Sequence, residues 1–149
     1  MQTEPSSRHP APGLVQVVPD PNVLISAAVT PNGACAQLLS RLLESPLEIV
    51  VSPLLLDEIE RVLWRPRFGQ IPSALRVSYV EFLRRIAHLE EDITPTGVQL
   101  VPADPRDDYL VQLTLAGNRR LLVTGDRHLL DLAGEYLIVS PRELLDRLA

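Results

Sequence analysis

Short aliphatic runs alternate with longer amphipathic segments along almost the whole chain, and this alternation limits the fold more than any other feature. The runs are short and rich in branched aliphatic residues, which is typical of strands buried on both faces. They cover residues 14–18, 47–51, 97–101, 121–123 and 136–139. Strands that alternate with helices predict a mostly parallel sheet with helices on both sides. We therefore expect a single α/β domain, built as a three-layer α/β/α sandwich.

Proline, glycine and serine mark where the predicted helices begin and end. Helices are expected after Pro21 with a break near 30–33, over 34–44, from Ser52-Pro53 to about 64, over 73–91, from the acidic segment 104–108 to about 117, over 127–132, and from Ser140-Pro141 onward. Residues 1–13 are rich in proline and serine and have no periodicity, so we expect a disordered N-terminal tail. The folded domain is then expected over residues 14–149.

The basic and sulfur-containing residues exclude several classes of protein. All 14 basic residues are arginine, which excludes mechanisms that need a lysine, such as P-loop nucleotide hydrolysis or Schiff-base chemistry. The single cysteine, Cys35, excludes an intramolecular disulfide and a multi-cysteine zinc site, and it suits a reducing compartment. No apolar run approaches the roughly 18 residues of a membrane span, and residues 1–13 lack the pattern of a signal peptide. We therefore expect a cytoplasmic protein that does not enter a membrane.

Four acidic residues occur where a parallel sheet would bring them to one edge. Asp20 follows the first strand, Asp126 follows the strand at 121–123, Asp108 opens a helix, and Glu58 lies in the helix after the second strand. Ligands of open α/β sheets bind outside the carboxyl ends of the strands. Carboxylates gathered there repel one another unless a cation neutralises them, and a set of oxygen ligands suits Mg²⁺ or Mn²⁺. The net charge of −5 argues against non-specific coating of nucleic acid and leaves a metal-dependent nuclease open.

Each of these acids also has a structural alternative. Asp20 lies between two prolines and suits a turn, and Asp126 suits the cap of the short helix over 127–132. Asp107 and Asp108 both suit the start of a helix. Of these two residues, we expect Asp107 to serve as the cap and Asp108 to face the site.

The helix that follows the second strand leaves two glutamates as candidates. Its apolar stripe is bordered on one side by Glu58 and on the other by Glu60. Asp57 faces away from the stripe and is spaced to pair with Arg61. The pattern alone therefore leaves Glu58 and Glu60 as alternatives.

Six short motifs stand in the order and spacing of the PIN-domain family, which the chain resembles from about residue 15 to 145. They are Val17-Val18-Pro19-Asp20-Pro21-Asn22-Val23-Leu24, Ser52-Pro53 to Glu58, Arg65-Pro66-Arg67-Phe68, Asp104-Pro105-Arg106-Asp107-Asp108, Val123-Thr124-Gly125-Asp126 and Ser140-Pro141-Arg142-Glu143-Leu144-Leu145. Each motif is weak alone, and their common order makes the resemblance specific. Within the family, the chain is most similar to the VapC-like ribonucleases, the toxin components of toxin–antitoxin systems.

The resemblance implies a Mg²⁺- or Mn²⁺-dependent endoribonuclease. The implied catalytic and metal-binding acids are Asp20, Glu58, Asp108 and Asp126, so the resemblance selects Glu58 over Glu60. It also implies supporting polar roles for Asn22, Ser52 and Thr124. RNA is the implied substrate, and a second copy of the chain and a cognate antitoxin protein are the implied partners.

The chain departs from the family pattern beside two of these acids. Pro21 stands where the family commonly has threonine, and Pro19 removes an N–H donor at the end of a predicted central strand. His128, two residues after Asp126, occupies a position that is often acidic in the family, and we expect its side chain at the surface. The two prolines favour an alternative function, in which an inactive PIN domain binds RNA or protein without cutting.

Substrate affinity requires positive charge outside the acidic centre. We expect Arg65 and Arg127 to contact phosphate, and most other arginines to form a solvated surface. The helix over 73–91 carries an apolar face that either packs on the core or lines a groove for a second copy or an antitoxin. A third function, an aspartate-based phosphatase, is disfavoured because Asn22 stands in place of a second aspartate and the chain has no lysine.

Overall fold

A computed structural model describes residues 16–92, 100–101 and 104–149 of the chain. The predicted tail over 1–13 and the first two residues of the predicted strand over 14–18 lie outside the described residues. Most of the predicted strand over 97–101 lies outside them as well, and Leu100 and Val101 are not in a strand.

Five parallel strands form the central sheet of the described part of the chain. They are β1 (Gln16–Pro19), β2 (Glu48–Val51), β3 (His88–Leu89), β4 (Arg120–Val123) and β5 (Ile138–Val139), in the spatial order β3-β2-β1-β4-β5. Val17 and Val18 of the central strand are both fully buried. Because successive side chains of a strand point to opposite faces, both faces of the sheet are covered. The predicted three-layer α/β/α sandwich with a parallel sheet is confirmed.

In the part of the chain that the structure describes, seven α-helices connect or follow the strands. They are α1 (Pro21–Val29), α2 (Ala34–Glu44), α3 (Pro53–Leu63), α4 (Ser73–Ile86), α5 (Asp108–Ala116), α6 (Arg127–Leu130) and α7 (Pro141–Leu148), with 3₁₀ turns at Pro66–Phe68 and Pro105–Asp107. Among the described residues, no single helix is long and apolar enough to span a membrane. Only α1 and α2 taken together reach that length and composition, and a bend of 103° separates them.

The helix α4 ends five residues earlier than the sequence indicated. It was expected to continue to residue 91, but it ends at Ile86, where the N–H of Ala87 donates to the carbonyl of Leu83. The next residues form β3 beside β2, and the N–H of Glu90 donates to the carbonyl of Val51 at 2.9 Å. The exposed edge of β2 offers backbone partners that a longer helix would leave unused, and this pairing overrides the local helical pattern.

Side chains at the carboxyl edge of the sheet start several of the helices. Ser52 accepts a hydrogen bond from the N–H of Leu55 at 3.3 Å, and Ser140 forms a reciprocal capping box with Glu143. A proline occupies the start of α1, α3 and α7. Its fixed backbone angle suits a helix, and because an N–H at this position has no acceptor within the helix, proline costs no hydrogen bond there. These short strand-to-helix turns hold polar side chains at one edge of the sheet.

Pro19 lies at the end of the central strand and does not interrupt the pairing of that strand with β4. Pairing of β1 with β2 ends at Val17 and Ile49, whereas pairing with β4 continues to Pro19 and Val123. The next residue, Asp20, donates its N–H to the carbonyl of Val123 at 2.8 Å. The proline thus stands beyond the last β1–β2 pair, where a backbone donor toward β2 is not used.

A buried arginine connects residues that belong to, or directly follow, three strands of the sheet. Arg120 of β4 donates from Nε to Gln16 of β1 at 2.7 Å and from its two terminal nitrogens to Glu90, which follows β3. It also donates to the carbonyl of Leu113 at 2.8 Å. Gly117 makes this possible, because a Cβ at that position would overlap the Arg120 side chain. The hydrogen bonds from Arg120 hold the pKa of Glu90 below its ordinary value of 4.5.

We predict that Arg120→Met lowers the free energy of unfolding by about 3 kcal/mol at neutral pH, because it removes the hydrogen bonds that Glu90, Gln16 and the carbonyl of Leu113 accept from the buried guanidinium. Urea unfolding measures this difference. Since the folded pKa of Glu90 is lowered, the contribution of the pair is complete above pH 4.5 and is lost as the pH falls through the folded pKa. The control is Arg84→Met, which removes an exposed pair with Glu81 and is expected to cost less than about 1 kcal/mol. Equal effects of the two substitutions would contradict this interpretation.

Candidate functional site

Asp20 is a buried carboxylate held at the end of the central strand. Its side chain is only 4% exposed. Oδ1 accepts a hydrogen bond from the N–H of Asn22 at 2.9 Å, and Oδ2 accepts one from the hydroxyl of Thr124 at 2.7 Å. The bond from Asn22 also caps α1, so the structural role of Asp20 at the helix start does not exclude a role in a site.

The environment of Asp20 disfavours its negative charge. Burial raises the pKa of Asp20 above its ordinary value, and the hydrogen bonds from Thr124 and Asn22 only partly oppose this effect. The negative charges of Glu58 and Asp126 raise the pKa further. Asp20 therefore has two other carboxylates as electrostatic neighbours, as the sequence pattern predicts.

Thr124 connects Asp20 with the acid that follows β4. Thr124 is fully buried, and while its hydroxyl donates to Asp20, its oxygen accepts the N–H of Asp126 at 3.0 Å. Asp126 in turn accepts the N–H of His128 at 2.8 Å on Oδ1 and so caps α6. Capping uses only one oxygen of Asp126, which leaves the other available at the site.

Glu58 faces the other acids, and a tyrosine holds its side chain. The hydroxyl of Tyr109, at the start of α5, donates to Oε1 of Glu58 at 2.8 Å. Burial and the charge of Glu58 raise the pKa of Tyr109, so it remains a neutral donor. Glu60 is exposed. The sequence gave no signal for this contact, because the partners are 51 positions apart.

The two acids at the start of α5 differ in their hydrogen bonds. Asp108 accepts the N–H of Leu100 at 2.9 Å on Oδ2 and the N–H of Val101 at 2.7 Å on Oδ1. Its carboxylate therefore fixes the preceding segment of chain. Asp107 occupies the N-cap position of α5, as the sequence predicts, although its side chain makes no capping hydrogen bond.

The charge of Asp107 is coupled to the other carboxylates at this edge of the sheet. Burial is the largest cause that raises the pKa of Asp107, to about 7. The charges of Asp104, Asp20, Asp126 and Glu58 add to it. The structure thus brings Asp20, Glu58, Asp126 and Asp107 to one edge of the sheet, and it places the carboxylate of Asp108 on the backbone beside them.

The remaining predicted site residues lie around this cluster with different exposures. Ser52 is fully buried and acts as the cap of α3. Asn22 and His128 are exposed and contribute their backbone N–H groups to Asp20 and Asp126. Arg65 and Arg127 are exposed. A cavity of about 310 Å³ adjoins the cluster and is lined by Asn22, Val23, Ser26, Cys35, Gly125, Asp126 and Pro141.

The chemistry of these side chains suits a hard divalent cation. All the clustered ligands are carboxylate oxygens, and their mutual repulsion and burial raise the pKa of Asp20 and Asp107. Within the described residues, no three of the Asp, Glu, His and Cys side chains converge on a single point that could hold an ion. The carboxylates lie at one edge of the sheet, and their side chains must move closer to one another to bind a cation.

Comparison with known proteins agrees with this architecture. The family model described as the PIN domain matches residues 16–128 of the chain. Among solved structures, the chain resembles PAE2754 from Pyrobaculum aerophilum with a TM-score of 0.59 and 22% sequence identity, covering 91% of this chain and 89% of that one. At this identity the similarity shows the fold alone. No curated protein matches the sequence significantly.

The raised pKa of Asp107 predicts how stability depends on pH in the absence of divalent metal. A carboxyl whose folded pKa lies above its ordinary value of 3.8 favours the folded state only while it is protonated. The contribution of Asp107 to stability should therefore fall as the pH rises from 3.8 to about 7, and Asp107→Asn should remove this part of the pH dependence. Urea unfolding in EDTA across this range measures the effect. The exposed Asp57→Asn serves as the control, and a wild-type pH profile in Asp107→Asn would contradict the prediction.

Proposed function

This chain belongs to the PIN-domain family, and from that premise we propose that it is a divalent-metal-dependent endoribonuclease. PIN domains are generally nucleases that use divalent metals. The observation that carries the proposal is the buried carboxylate of Asp20, which stands at the end of the central strand with Glu58 and Asp126 as charged neighbours. Burial of a carboxylate among like charges is costly, and a bound cation offsets that cost.

Mg²⁺ or Mn²⁺ is the proposed cofactor, and the carboxylates of Asp20, Glu58 and Asp126 are its proposed ligands. The family pattern supports Asp108 as the fourth acid, and the charge coupling described above supports Asp107 instead. We propose that Asp107 takes this position and that Asp108 fixes the segment at residues 100–101 beside it. When bound, the cation supplies the positive charge that activates water and neutralises a scissile phosphodiester.

The side chains around the acids have positioning roles in this proposal. Thr124 and the N–H of Asn22 fix the two oxygens of Asp20, and Tyr109 fixes one oxygen of Glu58. Such partners of ligating carboxylates orient them and keep them in place. Because each carboxylate keeps some lone pairs unused by these bonds, the acids remain able to bind a cation.

RNA is the proposed substrate, and exposed arginines are its proposed phosphate contacts. Arg65 lies after α3, which carries Glu58, and Arg127 directly follows Asp126. The acidic net charge of the chain restricts RNA binding to such local positive groups. The resemblance supports a toxin that forms homodimers and is inhibited by a cognate antitoxin protein, and these parts of the proposal rest on that resemblance alone. The proposed cytoplasmic location rests on the single cysteine.

A second candidate function is a PIN domain that binds RNA or protein without cutting it. It is favoured by the absence, within the described residues, of three acids that converge on one ion. The contacts of Asp20 argue against this second function, because both hydrogen bonds to its carboxylate form despite the neighbouring Pro19 and Pro21.

Cleavage of labelled single-stranded RNA in Mn²⁺ or Mg²⁺ tests the proposal. We expect metal-dependent cutting by the wild type and a loss on the order of 100-fold in Asp20→Asn, because the substitution removes a ligand charge. The exposed Asp57→Asn should retain wild-type activity. Comparison of Asp107→Asn with Asp108→Asn separates the two proposed positions, since only a ligand should alter the dependence on Mn²⁺ concentration. Folded protein that cuts none of several RNAs would favour the second function, and cutting that survives in Asp20→Asn would contradict the assigned site.

A further inference from the structure

A cavity of about 560 Å³ lies where the ends of α1 and α3 meet the start of α4. Its walls are largely apolar and include Ala28, Val29, Leu63, Ile71 and Leu75. None of the clustered acids lines it. We call it the Arg76 cavity, because the side chain that distinguishes it is a buried arginine in its wall.

Arg76 is buried with part of its hydrogen-bonding capacity unused. The residue is 7% exposed, and one terminal nitrogen donates to the carbonyl of Phe68 at 3.0 Å. Its guanidinium carbon lies 4.4 Å from the centre of the Trp64 ring. This stacking stabilises the cation, but the ring accepts no hydrogen bond from its N–H groups. In the part of the chain that the structure describes, Nε of Arg76 is the one buried side-chain nitrogen or oxygen without a hydrogen-bond partner.

The positive charge of Arg76 also lacks a neutralising acid. Arg76 forms no salt bridge with any residue among 16–92, 100–101 and 104–149. A guanidinium stays protonated in proteins, so the group does not escape the cost of burial by losing its proton. A ligand oxyanion beside the guanidinium in the cavity would neutralise this charge.

A second cation lines the same cavity. Arg67 is exposed, and its guanidinium carbon lies 4.7 Å from the centre of the Phe68 ring. No acidic residue is among the described residues that line the cavity. The cavity therefore combines a positive potential with apolar walls, and its volume lies within the range of small-molecule sites.

We propose that the Arg76 cavity binds an amphiphilic organic carboxylate, whose head group pairs with Arg76 and whose aliphatic body lies against the apolar walls. The site is independent of the proposed nuclease centre. An RNA strand is a poorer match, because it carries a phosphate and a polar sugar at every nucleotide, whereas the cavity offers one buried cation and aliphatic walls.

Octanoate serves as the probe, and NMR of the arginine Nε–H groups serves as the readout. We expect octanoate to shift the Nε–H resonance of Arg76 saturably, with that resonance assigned by its absence in Arg76→Met. Octanol and inorganic phosphate should bind at least about tenfold more weakly, because each lacks one of the two parts of the ligand. Arg84→Met, which removes an exposed arginine elsewhere on α4, should bind octanoate like the wild type.

A second variant keeps the test decisive if Arg76→Met fails to fold. Ala28 is exposed and lines the cavity, so Ala28→Trp should fold, fill the space and weaken octanoate binding at least about tenfold while Arg76 stays intact. Three results would overturn the proposal: no saturable shift with octanoate, equal binding of octanol, or equal binding of inorganic phosphate. Binding that is unchanged in a folded Ala28→Trp would overturn it as well.

Discussion

The hydrogen bond from the hydroxyl of Thr124 to the carboxylate of Asp20 joins the ends of the two central strands. It is buried, and the residues it connects are 104 positions apart in the chain. The same threonine accepts the N–H of Asp126, so one hydroxyl sets the positions of two acids. The β1–β4 pairing that ends at Pro19 and Val123 brings Thr124 to this place. The positions of Asp20 and Asp126 therefore depend on the parallel pairing of β1 and β4, and the sheet holds both acids in place.

Burial of Asp20 and Asp107 near other carboxylates raises the free energy of the folded, metal-free protein. Other interactions offset it, among them the buried aliphatic core and the Arg120 hydrogen bonds. The ion pair of Arg120 and Glu90 stabilises the fold, whereas the like charges gathered around Asp20 destabilise it. Strain of this kind is common where a site is preorganised for a ligand.

The sequence predicts the layers and four of the five strands, because these depend on local pattern, but it misses β3. It predicts poorly what depends on distant partners. The end of α4 was placed too late because backbone pairing with β2 is not encoded in helical periodicity. Tyr109 was missed because its partner Glu58 lies on another helix. The roles of Asp107 and Asp108 depend on whether the N–H groups of Leu100 and Val101 lie nearby, which no spacing rule indicates.

Mn²⁺ affinity in Thr124→Val, measured by calorimetry, tests most directly the claim that Thr124 organises the acidic edge. The substitution keeps the side-chain shape and removes both the donor to Asp20 and the acceptor for Asp126. The matched control is Thr114→Val, which removes another buried hydroxyl, one that bonds to the carbonyl of Leu110. The account predicts that Thr124→Val weakens Mn²⁺ binding by about 10- to 100-fold while Thr114→Val leaves it unchanged. Equal Mn²⁺ affinity in the two folded variants, or no Mn²⁺ binding by the wild type, would contradict it.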